Sequence, residues 1–94
     1  MAYALVKLKV EDLTKWKAGF EAAGEMRKKF GSKGAQAFSL VDDPTWAVAL
    51  VEFEDLDKAR EMYQSQDFRD AAKRAGVTGT PEVTILTEVM QLPA

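Results

Sequence analysis

Arg27 is the residue of this sequence whose position most clearly calls for a chemical explanation. It lies in the middle of an apolar stripe at helical spacing, in line with Phe20, Ala23 and Phe30. A guanidinium buried without a partner is costly. One interpretation is that it points into a pocket and binds a substrate carboxylate, phenolate or enolate. Two structural interpretations stay open: its stem packs on the core while its head reaches solvent, or it pairs with a structural carboxylate.

Tyr63 is the second candidate, because its hydroxyl can donate or accept a proton and it comes just before an interruption of the helical pattern. The alternative is a partly buried tyrosine whose hydroxyl reaches water or backbone. Arg27 and Tyr63 are therefore the catalytic candidates. Aromatic surface can also line a pocket for a flat apolar ligand, although aromatic residues at helical spacing are often plain core. The candidate pocket residues are Trp16, Phe20, Phe38, Trp46 and Phe68.

The residue types that are missing exclude several kinds of chemistry. The sequence contains no His, Cys or Asn. Zinc, copper and haem iron lose their usual ligands, and Ser-His and Cys-His nucleophile pairs are impossible. We expect no metal and no bound cofactor. Any catalysis would use carboxylates, Lys, Arg, Tyr, Trp or the reactivity of the substrate itself.

Length and charge restrict the class of protein. A chain of 94 residues predicts one domain, residues 1–94. Thirteen basic and fifteen acidic residues are interspersed and give a net charge of −2, so we expect no nucleic-acid partner. The longest apolar runs have the length of a strand, which predicts no membrane span. The N-terminus lacks the layout of a signal peptide, and a cytoplasmic location is the default expectation.

A near repeat indicates how the chain is organised. The five residues from Glu11 to Lys15, EDLTK, recur from Glu54 to Lys58 as EDLDK. Each copy follows a strand-like run and opens a helix-like run. Each helix-like run ends in two glycines three apart, first Gly31 and Gly34, then Gly76 and Gly79. The same order in both halves predicts two βαβ-like units.

The hydrophobic periodicity predicts six elements. They are a strand at Tyr3–Val10, a helix from Asp12 to about Phe30, strands at Ala35–Val41 and Trp46–Phe53 joined by a turn at 42–44, a helix from about Asp57 to Ala75 with a break at 65–67, and a strand at Glu82–Met90. The order β-α-β-β-α-β predicts an α+β, ferredoxin-like fold. Right-handed crossovers place both helices on one face of a four-stranded antiparallel sheet, with the last strand at an edge.

The charged residues at the helix starts and on the second helix are interpreted as structural. Asp12 and Asp57 occupy helix starts, where carboxylates satisfy free N–H groups. The second helix interleaves basic and acidic residues, which predicts a solvated face with i,i+4 ion pairs. These are Arg60, Arg69, Lys73 and Arg74 with Glu61, Asp67 and Asp70.

The apolar pattern of the predicted sheet indicates that a second protein chain covers it. The strand Trp46–Phe53 is apolar on both faces, which normally means that both sides of the sheet are covered. The helices cover one side only. The last strand is long, lies at an edge and is followed by the apolar residues Met90 and Leu92, which makes it a pairing hazard unless covered. We therefore expect a homodimer formed through the open sheet face and the C-terminal strand.

Several segments, taken in order, carry a family resemblance. They are Asp12, WKAGF at 16–20, Arg27, Gly31–Gly34, Asp42–Pro44, Ala59–Glu61, Ala75–Val77 and Pro81–Val83. With them the chain resembles small proteins of the dimeric α/β-barrel superfamily, in its antibiotic-biosynthesis-monooxygenase-like and cyclase-like group. The resemblance implies two ferredoxin-like protomers whose sheets meet to form a barrel, with a pocket between helices and sheet in each.

The same resemblance suggests activities. Members include cofactor-free monooxygenases that act on aromatic polyketides, haem-degrading enzymes and proteins of unknown role. The haem-degrading members rely on a His, and the monooxygenases often place an Asn beside Trp and Tyr; this chain has neither His nor Asn.

Three hypotheses for the function follow. The first is a cofactor-independent monooxygenase or cyclase acting on a hydrophobic aromatic or carbonyl compound. The second is a non-catalytic dimer that binds a small apolar ligand. The third is an oligomeric scaffold without a pocket, in which Arg27 is paired internally.

Overall fold

The computed structural model describes residues 1–94 as a four-stranded sheet with helices on one face. The elements are β1 (Ala2–Val10), α1 (Leu13–Ala22), α2 (Gly24–Lys29), β2 (Ser32–Leu40), β3 (Asp43–Phe53), α3 (Leu56–Gln64), α4 (Gln66–Arg74) and β4 (Val77–Thr87). The strand order is β2-β3-β1-β4, and all neighbours are antiparallel. This confirms the α+β, ferredoxin-like βαββαβ fold, with β4 at one edge.

Each of the two predicted helices is a helical unit of two helices, α1 with α2 and α3 with α4. The sequence predicted a break only in the second unit. The break at Ser65 is confirmed: its hydroxyl donates to the Met62 carbonyl at 2.6 Å and accepts from the Phe68 N–H at 3.1 Å, so one side chain ends α3 and caps α4. The continuous first helix is wrong. It is interrupted at Ala23, whose φ and ψ are −84° and 8°, just before Gly24, a residue that weakens a helix interior. None of the four helices has the length and apolar character needed to cross a bilayer.

Aspartates cap the first helix of each unit. Asp12 accepts a hydrogen bond from the Thr14 N–H at 2.9 Å. In the second unit the cap is Asp55, which accepts from the Lys58 N–H at 2.8 Å. Asp57 lies in the first turn of α3 instead, where a carboxylate still interacts favourably with the helix dipole.

Alternate residues of the two central strands form the core. The register pairs Ala4 of β1 with Val51 of β3, and both face the helices. The same face carries Val6, Leu8, Ala47, Ala49 and Phe53, all buried. The helices cover this face with Trp16, Ala59, Met62 and other apolar side chains. Burial on one side of each strand thus fixes which residues are available to a site between helices and sheet.

No helix covers the opposite face of the sheet, which is called here the open face. It carries Leu5, Phe38 and Leu86, which all stay partly exposed. β4 begins at Val77, earlier than the predicted Glu82, because Val77 pairs with Val10 across an irregularity in the ladder. Residues 88–94 follow β4 without regular structure. Their large apolar side chains, Val89, Met90 and Leu92, are exposed.

Candidate functional site

An apolar cavity of about 50 Å³ lies between the helices and the covered face of the sheet. All four helices and the two central strands contribute to its lining. Arg27 is its only charged residue and Tyr63 its only residue with a hydroxyl. The sequence predicted these two as catalytic candidates, and the fold brings them to one cavity.

Small residues allow the helices to approach each other around this cavity. A Cβ atom added to Gly19 of α1 would lie 2.5 Å from the Ala75 Cβ and 2.8 Å from its Cα. Real atoms do not approach so closely, so α1 and the end of α4 meet only because residue 19 has no side chain. Ala23, Ala71 and Ala72 also line the cavity and leave room for it.

Arg27 is held by Phe20 of α1, seven residues earlier in the chain, rather than by an acid. Its Nη1 donates to the Phe20 carbonyl at 2.7 Å, and its Cζ lies 4.0 Å from the centroid of the Phe20 ring. The ion pairs of the protein join other residues, namely Lys15 to Glu11, Lys29 to Asp67 and Lys33 to Glu54. A structural carboxylate partner is therefore excluded. The remaining N–H donors of the guanidinium make no hydrogen bond within the protein. Arg27 lines both the cavity and a surface cleft that also contains Glu21 and Glu25.

The electrostatics of Arg27 and Tyr63 are linked. Burial lowers the pKa of the Arg27 guanidinium, and a negative charge on Tyr63 would oppose this shift. Burial raises the pKa of the Tyr63 hydroxyl far above its usual value, against the smaller effect of the Arg27 charge. An arginine remains charged in proteins. At neutral pH the cavity therefore presents a cation and a neutral phenol that can donate a hydrogen bond.

Three of the five predicted aromatic residues line the cavity. Trp16 and Phe20 pack with their ring centroids 5.0 Å apart. Phe68 packs edge-on against Tyr63 at 4.8 Å, and the Tyr63 ring also meets that of Phe53 at 6.0 Å. These contacts fix the orientation of the Tyr63 ring.

Phe38 and Trp46 do not line the cavity, and this part of the predicted pocket is wrong. Phe38 pairs with Val48 on the open face of the sheet, where its side chain is 49% exposed. Trp46 also lies on the open face, with the ammonium groups of Lys7 and Lys9 at 4.8 and 5.1 Å from its ring centroid. Successive strand residues point to opposite faces, so neither ring can reach the helix side.

A wider cleft adjoins the cavity along α4 and β4, with a volume of about 410 Å³. It shares Tyr63 and Phe68 with the cavity. Its charged residues are Arg69 and Lys73, and neither lining contains an Asp or Glu. The sequence did not indicate this cleft, because its second wall comes from β4, which begins at Val77, nine residues after Phe68.

The expected i,i+4 ion pairs on α4 do not form. Asp67 binds Lys29 of α2 at 2.8 Å. Asp70 accepts a hydrogen bond from the Gln66 amide, also at 2.8 Å. Arg69 donates to the Gln64 carbonyl and to the Gln66 side chain. Arg69 and Lys73 therefore carry charges that no carboxylate of the chain neutralises through a salt bridge.

Comparison with solved structures supports the fold. A Bordetella bronchiseptica protein assigned to the antibiotic biosynthesis monooxygenases superposes with a TM-score of 0.81 at 19% identity, over 95% of this chain and 97% of that chain. SnoaB, a cofactor-independent oxygenase from Streptomyces nogalater, gives 0.78 at 16% identity, over 99% and 97%. A conserved protein from Methanosarcina mazei Go1 gives 0.70 at 17%, over 95% and 94%. At these identities the likeness concerns the fold.

The sequence itself matches a family model. No curated protein sequence matches the chain. Residues 1–89 match the model described as "Domain of unknown function (DUF1330)". The structural neighbours confirm the fold that the resemblance implied, a ferredoxin-like fold shared with antibiotic-biosynthesis-monooxygenase-like proteins. Because the match covers nearly the whole sequence, the chain belongs to the DUF1330 family.

Proposed function

We propose that the protein is a small cofactor-independent enzyme, monooxygenase- or cyclase-like, that acts on a hydrophobic aromatic or carbonyl compound. The observation that carries the proposal is the Arg27 guanidinium, which borders an apolar cavity and has no carboxylate partner. SnoaB, a structural neighbour, is a cofactor-independent oxygenase. The open cavity and the unpaired Arg27 both argue against a scaffold without a pocket.

Arg27 supplies electrostatic stabilisation in this proposal. A substrate that loses a proton next to a carbonyl or on a phenol becomes an enolate or phenolate. The guanidinium lies beside the cavity before the reaction begins, since Phe20 holds it by a hydrogen bond and by ring stacking. A charge fixed in this way stabilises the developing anion without reorganisation during the reaction.

Tyr63 serves as a hydrogen-bond donor rather than a base. Its raised pKa keeps the phenol protonated, so it can donate a hydrogen bond to an oxygen of the substrate. The cavity and the adjoining cleft contain no carboxylate. The substrate proton must therefore leave to water, and the enzyme requires a substrate that ionises readily by itself.

The oxidation of such a substrate by O₂ needs no cofactor, because the substrate itself supplies the electrons. The substrate carbanion gives electrons to O₂ and forms a carbon–oxygen bond, and the resulting hydroperoxide loses water to leave a carbonyl. For an anthrone, the CH₂ group and one O₂ become a C=O group and one water. The substrate is the reductant, so the role of the protein is to hold it, exclude bulk water and stabilise the anion.

Turnover under air tests the proposal. The protein is incubated with anthrone and with a one-ring quinol under ¹⁸O₂, and the products are examined by mass spectrometry. We expect a quinone-type product that carries ¹⁸O and forms faster than in buffer. A rate equal to that of buffer for both compounds would contradict the enzyme proposal.

The alternative is a non-catalytic protein that binds a small ligand in the same cavity. The absence of a base from the lining favours this candidate. Native mass spectrometry of the purified protein distinguishes the two. A retained small molecule that is recovered unchanged after exposure to air would support a binding protein.

We also propose that the protein is a homodimer formed through the open face and the C-terminal strand β4, together with residues 88–94 that follow it. The open face exposes Leu5, Phe38 and Leu86, while Val89, which follows β4, is 90% exposed. The partner proposed is a second copy, because the apolar open face continues into the exposed apolar tail at the same sheet edge. The two surfaces together can form one interface with an apolar core.

A further inference from the structure

The charges around the cavity and its cleft all have one sign. Arg27 borders the cavity, and Arg69 and Lys73 border the cleft along α4 and β4. The chain as a whole has fifteen acidic residues against thirteen basic ones. Neither lining includes an acidic residue. The cavity and cleft are thus a cationic region on a protein of net negative charge, and such a region attracts anions.

The acidic residues nearest along α4 are occupied elsewhere. Asp67 is paired with Lys29, and Asp70 accepts a hydrogen bond from Gln66. Lys73 makes no salt bridge, and the hydrogen bonds of Arg69 go to neutral oxygens of Gln64 and Gln66. A ligand anion in the cleft would meet both cations without displacing an internal carboxylate.

The sizes of the two spaces restrict the shape of the ligand. The cavity volume is about 50 Å³, whereas a protein cavity that binds benzene is about 150 Å³. A flat ring therefore lies in the adjoining cleft, with only a narrow edge or substituent of the ligand in the cavity. The adjoining cleft, at about 410 Å³, lies within the range of about 300–1,000 Å³ of small-molecule sites. A slim apolar group fits the cavity and a larger or charged part fits the cleft.

We propose that the natural ligand is an organic anion that enters along α4 and β4, with its slim apolar end in the cavity and its charged group at Arg69 and Lys73. In this arrangement Tyr63 and Phe68 lie between the two parts, because both residues line the cavity and the cleft. The inference rests on the proposed function only in assigning the ligand to the same site. It adds to the proposed substrate class a charged group that anthrone and the quinol lack.

The probe is hexanoate, and its matched control is hexanamide, which has the same chain without the charge. Binding is followed by amide chemical shifts in ¹H–¹⁵N NMR spectra. We expect hexanoate to shift the signals of Tyr63, Phe68, Ala72 and Val77. We also expect hexanamide to bind about tenfold more weakly, since two rim contacts to a charged group are lost. Added salt should weaken hexanoate alone.

Variants identify the cations involved. The double variant Arg69→Gln/Lys73→Gln should weaken hexanoate about tenfold and leave hexanamide unchanged. Arg74→Gln, on the same helix but outside both linings, should bind like the wild type. Equal binding of the two probes, wild-type affinity of the double variant, or no binding of hexanoate at millimolar concentration would each overturn the inference.

The ligand class and the proposed enzyme function can fail independently of each other. If hexanoate binds as expected but no compound turns over, the enzyme proposal fails and the ligand class stands. If a neutral quinol turns over and hexanoate neither binds nor inhibits, the ligand class fails and the enzyme proposal stands.

Discussion

The backbone N–H of Glu11 donates to the carbonyl of Gly76 at 3.0 Å. The other half of the molecule repeats this contact, because the N–H of Glu54 donates to the Gly31 carbonyl at 3.1 Å. Each hydrogen bond links the residue before one helical unit to the glycine that ends the other. The repeat in the sequence therefore marks two equivalent backbone contacts between the start of one helical unit and the end of the other.

Side chains of the repeat also cover the glycines. A Cβ at Gly76 would lie 2.9 Å from the Glu11 Oε1 and 3.2 Å from the Lys15 Cδ. A Cβ at Gly31 would lie 3.0 Å from the Lys58 Cδ. Both glycines have positive φ angles, 83° and 78° for residues 31 and 76, which other residues rarely adopt. The glutamate, lysine and glycine positions of the repeat are thus explained by packing rather than by chemistry.

Gly76→Ala should destabilise the protein. The left-handed backbone alone costs a residue with a Cβ about 1–2 kcal/mol, and the new methyl also pushes against Glu11 and Lys15. Urea unfolding measures the loss in free energy of unfolding. The control is Gly34→Ala, where φ is not positive and no atom lies within 4 Å of the new Cβ. Equal stabilities of the two variants would contradict this explanation of the repeat.

Gly19→Ala should also be destabilising, by about 1–3 kcal/mol, because it forces a methyl group against the backbone of Ala75. Gly24→Ala is the control: its new Cβ meets only the Arg27 guanidinium at 3.9 Å, and Ala favours a helix more than Gly does. Thermal unfolding compares the two. If Gly19→Ala unfolds at the same temperature as the wild type, α1 and α4 are not in close contact.

The Tyr63 hydroxyl should resist ionisation. Absorbance of tyrosinate is titrated in a Tyr3→Phe variant, which leaves Tyr63 as the only tyrosine. Burial raises the pKa of Tyr63, so native protein should show little tyrosinate as the pH passes the usual value of about 10. The same variant unfolded in urea should titrate normally. Ionisation of the native protein near pH 10 would place the hydroxyl in water.

The same shift makes stability depend on pH. Above a pH of about 10 the unfolded chain releases the Tyr63 proton while the folded chain keeps it. The folded state then binds more protons, so the free energy of unfolding falls as the pH rises further. The contribution is fully present below pH 10. The Tyr63→Phe variant should lose less stability than the wild type over the same rise in pH, as measured by urea unfolding; parallel losses would contradict the shift.

Phe38→Glu should disrupt the proposed dimer. Phe38 is half-exposed on the open face, where a buried glutamate without a partner would be costly. Sedimentation equilibrium should give a dimer for the wild type and a folded monomer for the variant. Leu56→Glu is the control, an exposed leucine at the start of α3 on the helix side of the sheet. A wild-type protein that sediments as a monomer at micromolar concentration would exclude the dimer.

Much of the fold could be predicted because its signals are local. Asp12 and Ser65 cap helices through residues two and three positions away, and Gly31 and Gly76 end helical units by their own backbone geometry. The break at Ala23 has no side-chain cap, so the apolar stripe through Phe20 and Phe30 indicated one continuous helix.

The site could be predicted only in part, because its assembly depends on contacts between distant segments. Arg27 and Tyr63 stood out by their types and places on helices. Phe38 of β2 and Trp46 of β3 were assigned to the wrong face, since alternation along a strand does not say which side of the sheet the helices cover. The cationic cleft was missed because its position depends on how β4 packs beside α4.

Oxygen consumption by the Arg27→Gln variant tests the central claim most directly, namely that the cavity beside this guanidinium is the reactive site. The assay uses anthrone in air-saturated buffer, with wild type and Arg74→Gln as references. The account predicts that Arg27→Gln loses about 10²-fold or more of the catalysed rate, while Arg74→Gln keeps it. Equal rates for the wild type and the Arg27→Gln variant would contradict the claim.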